Sequence, residues 1–386
     1  MPTRPARFSP LCQRQRRPLT LRTELGLVKL TVDYGQEPAT KKWHCPQQRA
    51  WGLLPHQKVT PGLAEKLCFT AVATTSYEQA AAVAARWGVP VDDSLIHQQV
   101  QRAGERADQQ AQARVTANAA PAAAAPVPAG ALVIMMDGWM LRHRGGAWGL
   151  KPAQAAGERV AWQECKSAVI YHLCQSAQTA GERGLLVEKF VVAYVGEPLE
   201  FGRRVQAEAR RRGLGQALRV YVVADGGVWI WNIVTDRFAA ATGVLDFYHA
   251  SQHLWELAHA LHPATEAEAK AWVEPLLHQL RHGGEAGVLQ TLQNLPDWCA
   301  RRKQPLPPTA AKEINYFENH RAHIHYEARA AEGCPVGSGA MESLCGQLQG
   351  RFKRGGQFWS EPGRRRLMAL EVARRNRDWH ELWHLN

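Results

Sequence analysis

The sequence predicts an α/β fold with a mixed sheet, preceded by a small helical module and interrupted by a long all-α segment. Three observations carry this. Two apolar runs, ALVIMMD (131–137) and ALRVYVVAD (217–225), each end on an aspartate followed by glycine. Further strand-like runs rich in β-branched and aromatic residues alternate with helix-like ones up to residue 247. Beyond it, more than eighty residues read as mostly helical before a glycine-rich turn opens another helix at 333–352.

The chain has 386 residues and a formal charge of +12, with 47 Lys and Arg against 35 Asp and Glu. That length supplies two or three cores, and the basic excess favours a polyanionic partner, nucleic acid first. Eight cysteines without close pairs and the lack of a signal-like leader point to a reducing compartment, hence a cytoplasmic, nucleoid-associated protein. No apolar run approaches the roughly 20 residues of a membrane span.

In chain order, residues 1–59 form a small basic module, with Arg4, Arg7, Arg14, Arg16, Arg17 and Arg22 preceding the first acid, Glu24. Weak alternation over 21–32 suggests a strand or hairpin. Cys45 follows His44 as in a metal knuckle, but Gln48 stands where a second cysteine would complete the pair, which disfavours structural zinc. Residues 60–118 read as a helix-turn-helix region. Thr60 and Pro61 start one helix, Ser76 and Gln79 have capping-box spacing for a second, and Asp93 or Ser94 caps a third. The third is rich in Gln and Arg, so Arg102 and Arg106 are candidate DNA contacts. A plain helical hairpin is the alternative. Residues 119–130, AAPAAAAPVPAG, are an Ala/Pro linker.

The catalytic candidate region is 131–386. Strands are expected at 131–137, 159–172 and 187–195, a helix at 198–212, the strand ending at Asp225, a helix over the aromatic stretch 228–238, and a strand at 243–247. Three strands, a helix, a strand, a helix and a strand is the order of an RNase H-like fold. Two strand ends bearing Asp137 and Asp225, placed side by side, suit a hard divalent cation. Glu342, in the opening turn of the helix after the glycine-rich turn, offers a third acid. Asp246 and His249 have metal-like spacing at the end of the last strand and are supporting candidates, with a core or hydrogen-bonding role the commoner one. Residues 250–332 read as an all-α insertion whose Trp255, Trp272 and Trp298 belong to its core. The stretch from Arg351 interleaves Lys353 and Arg354 with Phe352, Phe358 and Trp359, a pattern suited to phosphates and stacked bases, or to an exposed cationic helix face.

Taken together, DGW at Asp137, ADGGVWIW at Asp225, LDFYH at Asp246 to His249 and CPVGSGAMES at Glu342 resemble the bacterial insertion-sequence transposases of the DDE type, nearest the Kra-type elements of the Mutator-like lineage. The resemblance covers roughly residue 21 onward and is strongest from 132. It implies an RNase H-like catalytic domain with a helical insertion, Asp137, Asp225 and Glu342 as catalytic and metal-holding acids, and Mg2+ or Mn2+, as two ions about 4 Å apart. It also implies double-stranded DNA, as element ends and target, and a homo-oligomer on that DNA. The N-terminal zinc knuckle of such proteins has lost most of its cysteines here. Two alternatives share the fold: a non-catalytic, domesticated or decayed DNA-binding protein, and a nuclease that cuts without joining.

Overall fold

The structure, a computed structural model, describes residues 11–53, 57–117, 130–151, 157–178 and 184–383. Apart from Gly130, the expected linker lies outside these residues, as do Arg4, Arg7 and most of the glycine-containing turn expected at 181–184. The chain forms two compact units. One joins Met1–Gln109 with Pro362–Asn386, and the other is Gln110–Glu361.

The first unit opens on an antiparallel hairpin, β1 (Cys12–Thr23) and β2 (Gly26–Gln36), which begins earlier than the alternation over 21–32 suggests. Thr23 faces Gly26 across a two-residue link, and Gly26 has φ +104, a conformation glycine adopts without strain. A short β3 (Trp43–His44) pairs with β2. Next comes α1 (Pro46–Ala50), where buried Cys45 is the N-cap and its Sγ accepts from the Gln48 N–H at 3.5 Å. Cys45 thus serves as a helix cap, with Gln48 as its backbone partner.

Three further helices follow: α2 (Pro61–Ala73), α3 (Tyr77–Arg86) and α4 (Asp93–Thr116). Ser76 Oγ accepts from Gln79 N at 3.0 Å, while the Gln79 side chain reaches back to Thr75 N at 2.9 Å, one residue short of a reciprocal box. For α4 the cap is Asp92, whose Oδ1 accepts from Leu95 N at 2.6 Å. The expected Asp93 or Ser94 lies inside the helix, because the carboxylate two or three residues ahead of the orphan N–H has the better reach.

The second unit is a mixed α/β structure. Its strands and helices run β4 (Ala131–Arg144), β5 (Val160–His172), a small hairpin of β6 (Ser176–Gln178) and β7 (Gly184–Leu186), β8 (Phe190–Val195), α5 (Pro198–Arg211), β9 (Arg219–Ala224), α6 (Val228–Arg237) and β10 (Thr242–Leu245). The five-stranded sheet has the order β10-β9-β4-β5-β8, with β4, β5 and β8 antiparallel and β9 and β10 parallel to β4. Leu132, Ile134, Met136, Ile170 and Val222 pack one sheet face against Phe201 and Val205 of α5 and Ile230 and Ile233 of α6. Truncating a side chain as buried as Phe201 typically costs about 3–5 kcal/mol.

Three expectations are corrected here. Asp137 does not end its strand: β4 runs on to Arg144, because Trp139, Leu141 and His143 stay buried and β5 supplies a partner as far as Val160. The third strand starts at Phe190 rather than 187, the residues before it being partly taken by the small β6–β7 hairpin. The last strand stops at Leu245, so Asp246 sits at the N-cap of the next helix and His249 in its first turn, not at a strand end.

An all-α segment does follow: α7 (Phe247–Leu261), α8 (Glu266–His282), α9 (Ala286–Gln293), α10 (Leu295–Arg301), α11 (Ala310–Asn319) and α12 (Tyr326–Ala331). Its Trp255, Trp272 and Trp298 are half-buried rather than fully interior. Then α13 (Gly339–Phe352) lies on β4 and β5. Past it, the chain adds to the free edge of β4, where Trp359 N donates to Arg142 O at 3.1 Å and Arg144 N to Trp359 O at 2.9 Å.

The chain then returns to the first unit through α14 (Glu361–Arg375) and ends on α15 (Trp379–Trp383). Gly104 of α4 meets the Arg366 backbone so closely that an added Cβ would lie 2.4 Å from its carbonyl oxygen. Arg366 Nε donates to Glu105 at 2.6 Å, and Arg365 pairs with Asp108. Among the described residues no helix is long and apolar enough to cross a membrane.

Candidate active site

Sheet register places three acids in a row. Met136 pairs with Ala224 and Ala224 with Leu245, so the next residues along these parallel strands are Asp137, Asp225 and Asp246. At this level β9 and β10 end while β4 continues, which leaves Asp225 and Asp246 on turns and Asp137 on an unpaired stretch of strand edge.

Asp137 Oδ1 accepts from Gly138 N at 2.6 Å, and its Oδ2 accepts from the Cys345 thiol of α13 at 3.6 Å. Burial pushes its carboxyl above the ordinary carboxylate range, the negative charge of Asp225 pushes the same way, and the Gly138 bond opposes them. Asp225 Oδ1 accepts from Gly227 N at 2.9 Å, and its backbone oxygen accepts from Trp231 Nε1 at 2.9 Å. Gly226 is held against the Tyr316 ring, 2.4 Å from where a Cβ would lie. A side chain there would have to displace the Tyr316 ring.

Glu342 is exposed in the first turn of α13, one turn ahead of Cys345 on the same side of the helix. The Cys345 thiol is pushed far up, first by burial and then by the charges of Asp137 and Glu342, so all three groups share one electrostatic neighbourhood.

Two carboxylates at neighbouring strand positions are the donor type a hard divalent cation takes, although among the described residues the ligand atoms of Asp137, Asp225 and Glu342 do not all lie within 4.8 Å of one another. Asp137 and Asp225 crowd two carboxylates onto adjacent strand positions at a cost that a bound cation would offset. The second Asp225 oxygen has no hydrogen-bond partner among the described residues. Glu342 is the third acid of the neighbourhood, exposed on the helix side.

Asp246 does something different. It is fully buried, with Oδ1 accepting from Ser338 N at 2.9 Å and Oδ2 bonded to His249 Nδ1 at 2.7 Å. Burial alone would raise its carboxyl, yet these hydrogen bonds hold it below the usual value. The Asp246 bond in turn raises the His249 imidazole, with Asp225 and Asp137 adding to the effect. Ser338 is the N-cap of α13, so Asp246 ties the end of β10 to the start of the helix that carries Glu342. The metal-like spacing of Asp246 and His249 therefore yields a clamp.

The expected DNA contacts divide. Arg102 and Arg354 are exposed, and Lys353 is half-buried beside Trp162. Arg106 is half-buried with its guanidinium over Trp383. Arg351 and Trp359 are buried, contrary to a solvent-facing role, because the strand-edge addition at Trp359 draws its indole inward to donate to Phe352 O at 2.7 Å.

Two features escaped sequence reasoning. His253, Glu256 and Glu313 bring ligand atoms within 4.8 Å of one another, and the His253-x-x-Glu256 spacing on α7 was the available signal. Tyr316, against Gly226, had no pattern to mark it. No protein-family model matches the sequence, and neither does any curated protein.

Proposed function

We propose that the chain is a DDE-type DNA transposase that cuts at element ends and joins them to a target, using Asp137, Asp225 and Glu342. One observation carries this: Asp137 and Asp225 occupy matching positions on adjacent parallel strands, with Glu342 one helical turn from the cysteine that touches Asp137. An RNase H-like arrangement is supported by the sheet itself, in which an antiparallel meander of three strands is extended by two parallel ones on the side of the first. The all-α segment between β10 and α13 stands where the helical insertion is expected.

Asp137, Asp225 and Glu342 would hold Mg2+ or Mn2+, which when bound neutralises phosphate charge and activates the attacking oxygen. Asp137 and Asp225 set the position of the reacting phosphate against the β4 edge. Asp246 fixes the start of α13, and through it Glu342. His249, favoured as a cation by Asp246, presents positive charge beside the acids. No side chain is needed as a covalent nucleophile, since water and then the freed 3′-hydroxyl attack. The basic excess supplies affinity for DNA that weakens with salt.

The test is cleavage and joining of a labelled element end by Asp225→Asn, with DNA binding measured in Ca2+. Loss of at least about a thousandfold in rate, roughly 4 kcal/mol, is expected, with binding kept. Asp137→Asn and Glu342→Gln should match it without adding to it. Near wild-type joining by the folded variant refutes the assignment.

A further inference from the structure

The far end of the β4–β5 hairpin carries exposed aromatics and cations that the catalytic assignment does not use. Trp162 is 54% exposed and Trp148 39%. Arg142 and Lys353 each lie 5.9 Å from the Trp162 ring, and Arg144 lies 5.5 Å from that of Trp148. Phe358 fills the space between, its ring 4.8 Å from Trp148 and 5.0 Å from the Arg142 guanidinium. Arg142 is anchored by donating to Arg354 O, and Arg144 by donating to Phe358 O at 3.3 Å. Among the described residues none of Arg142, Arg144, Lys353 and Arg354 has a carboxylate partner. Among the described residues between the two strands, Lys151 and Arg159 add two cations against one acid, Glu158.

We infer that this ledge binds an unpaired DNA strand, with bases stacked on Trp162 and Trp148 and phosphates held by Arg142, Arg144, Lys353 and Arg354. Charge decides the class of partner, because uncompensated cations on both sides of the indoles complement a polyanion and oppose a basic or purely apolar one. The exposed parts of the two indoles, each flanked by a cation, decide its form. A paired base has no free face to offer, whereas an unpaired one stacks on an aromatic whatever its identity. Arg142 pairs with Trp162 across the hairpin, five residues beyond Asp137. At about 3.4 Å per residue the ledge lies roughly 17 Å along the strand from the acids, about five stacked nucleotide steps. The choice of DNA rests on the proposed function, but binding here needs neither metal nor catalysis.

The experiment uses the full chain in EDTA and follows the anisotropy of a labelled oligo-dT beside a blunt duplex. Replacing Trp162 and Trp148 together by Ala should weaken oligo-dT binding at least about tenfold and duplex binding less than about twofold. Trp162→Phe should restore more affinity than Trp162→Leu, which separates stacking from bulk and guards against a folding defect. Lys353→Gln with Arg354→Gln should flatten the salt dependence by about 1.4 in log–log slope, about 0.7 for each phosphate no longer neutralised. Unchanged oligo-dT affinity in the double Trp variant overturns the proposal, as does Leu serving as well as Phe. Loss of self-association in the ultracentrifuge with oligo-dT affinity intact would make the ledge a protein interface and also overturn it. Asp225→Asn should leave all of these values alone, so failure of the catalytic assignment and failure of the ledge are told apart.

Discussion

Replacing Asp246 by Ala should loosen the fold at the point where Glu342 is set. The carboxylate is fully buried and accepts from Ser338 N and from His249. Alanine leaves the Ser338 N–H without its acceptor, worth about 1–3 kcal/mol, and removes a charge-assisted bond worth about 1.5–3 kcal/mol. The pair is one coupled unit, so about 3–5 kcal/mol in total is expected. The neighbouring Phe247 N to Val336 O bond, at 2.9 Å, holds the same loop and limits the damage to it. Asp246→Asn keeps an oxygen for Ser338 and should cost only about 1–2 kcal/mol.

The pH dependence has a definite sign. His249, raised above its ordinary 6.5, contributes stability that is full below that value and lost as pH rises through the folded pKa. Asp246, held below 3.8, contributes stability present above that value and lost as pH falls through its folded pKa. Wild type and Asp246→Ala should therefore differ most between about pH 4 and 6.5. The assays are thermal melting, with a fall on the order of 10 °C, and hydrogen exchange at residues 338–342. Equal exchange in wild type and Asp246→Ala would refute the clamp, and Asn behaving as badly as Ala would show that charge rather than the Ser338 acceptor matters.

Other outcomes follow from single contacts. Gly104→Ala should destabilise by about 1–3 kcal/mol despite the better helix propensity of alanine, since its Cβ meets backbone that cannot rotate away; a raised melting temperature would contradict this. Gly226→Ala should lower both stability and cleavage by forcing Tyr316 off His253, on which it stacks at 3.7 Å; normal cleavage would show that the turn tolerates a side chain. Burial lowers His323 from 6.5 to about 4, and His320 also falls, so stability should decline as pH drops from 6.5 towards 4; an equally steep decline in His323→Phe would assign it elsewhere.

The presence and order of the main strands, the all-α segment and the strand leading to Asp225 were legible because apolar runs and turn glycines are local signals. What stayed hidden depends on partners far away in sequence. The continuation of β4 past Asp137 was masked by the glycine at 138 and by a change from a continuous apolar run to alternation, the pattern of a strand kept by β5. Asp246-x-x-His249 carries metal-like spacing, and only the approach of Ser338, ninety-two residues on, reveals the backbone donor that its carboxylate accepts from. Trp359 reads as a stacking aromatic until its backbone joins β4. Likewise, nothing local in the helix of Arg102 and Arg106 says that Gly104 and Glu105 meet Arg366 of α14.

That last dependence bears on how the protein is made. The unit that contains α4 is completed by residues on the far side of Gln110–Glu361. At roughly 5–20 residues per second, translation leaves Gly104 of α4 without Arg366 for on the order of tens of seconds while the intervening residues emerge. A chain stopped before residue 361 would lack α14 and with it the partner of Gly104. Assembly of that unit becomes a check that translation has passed residue 361.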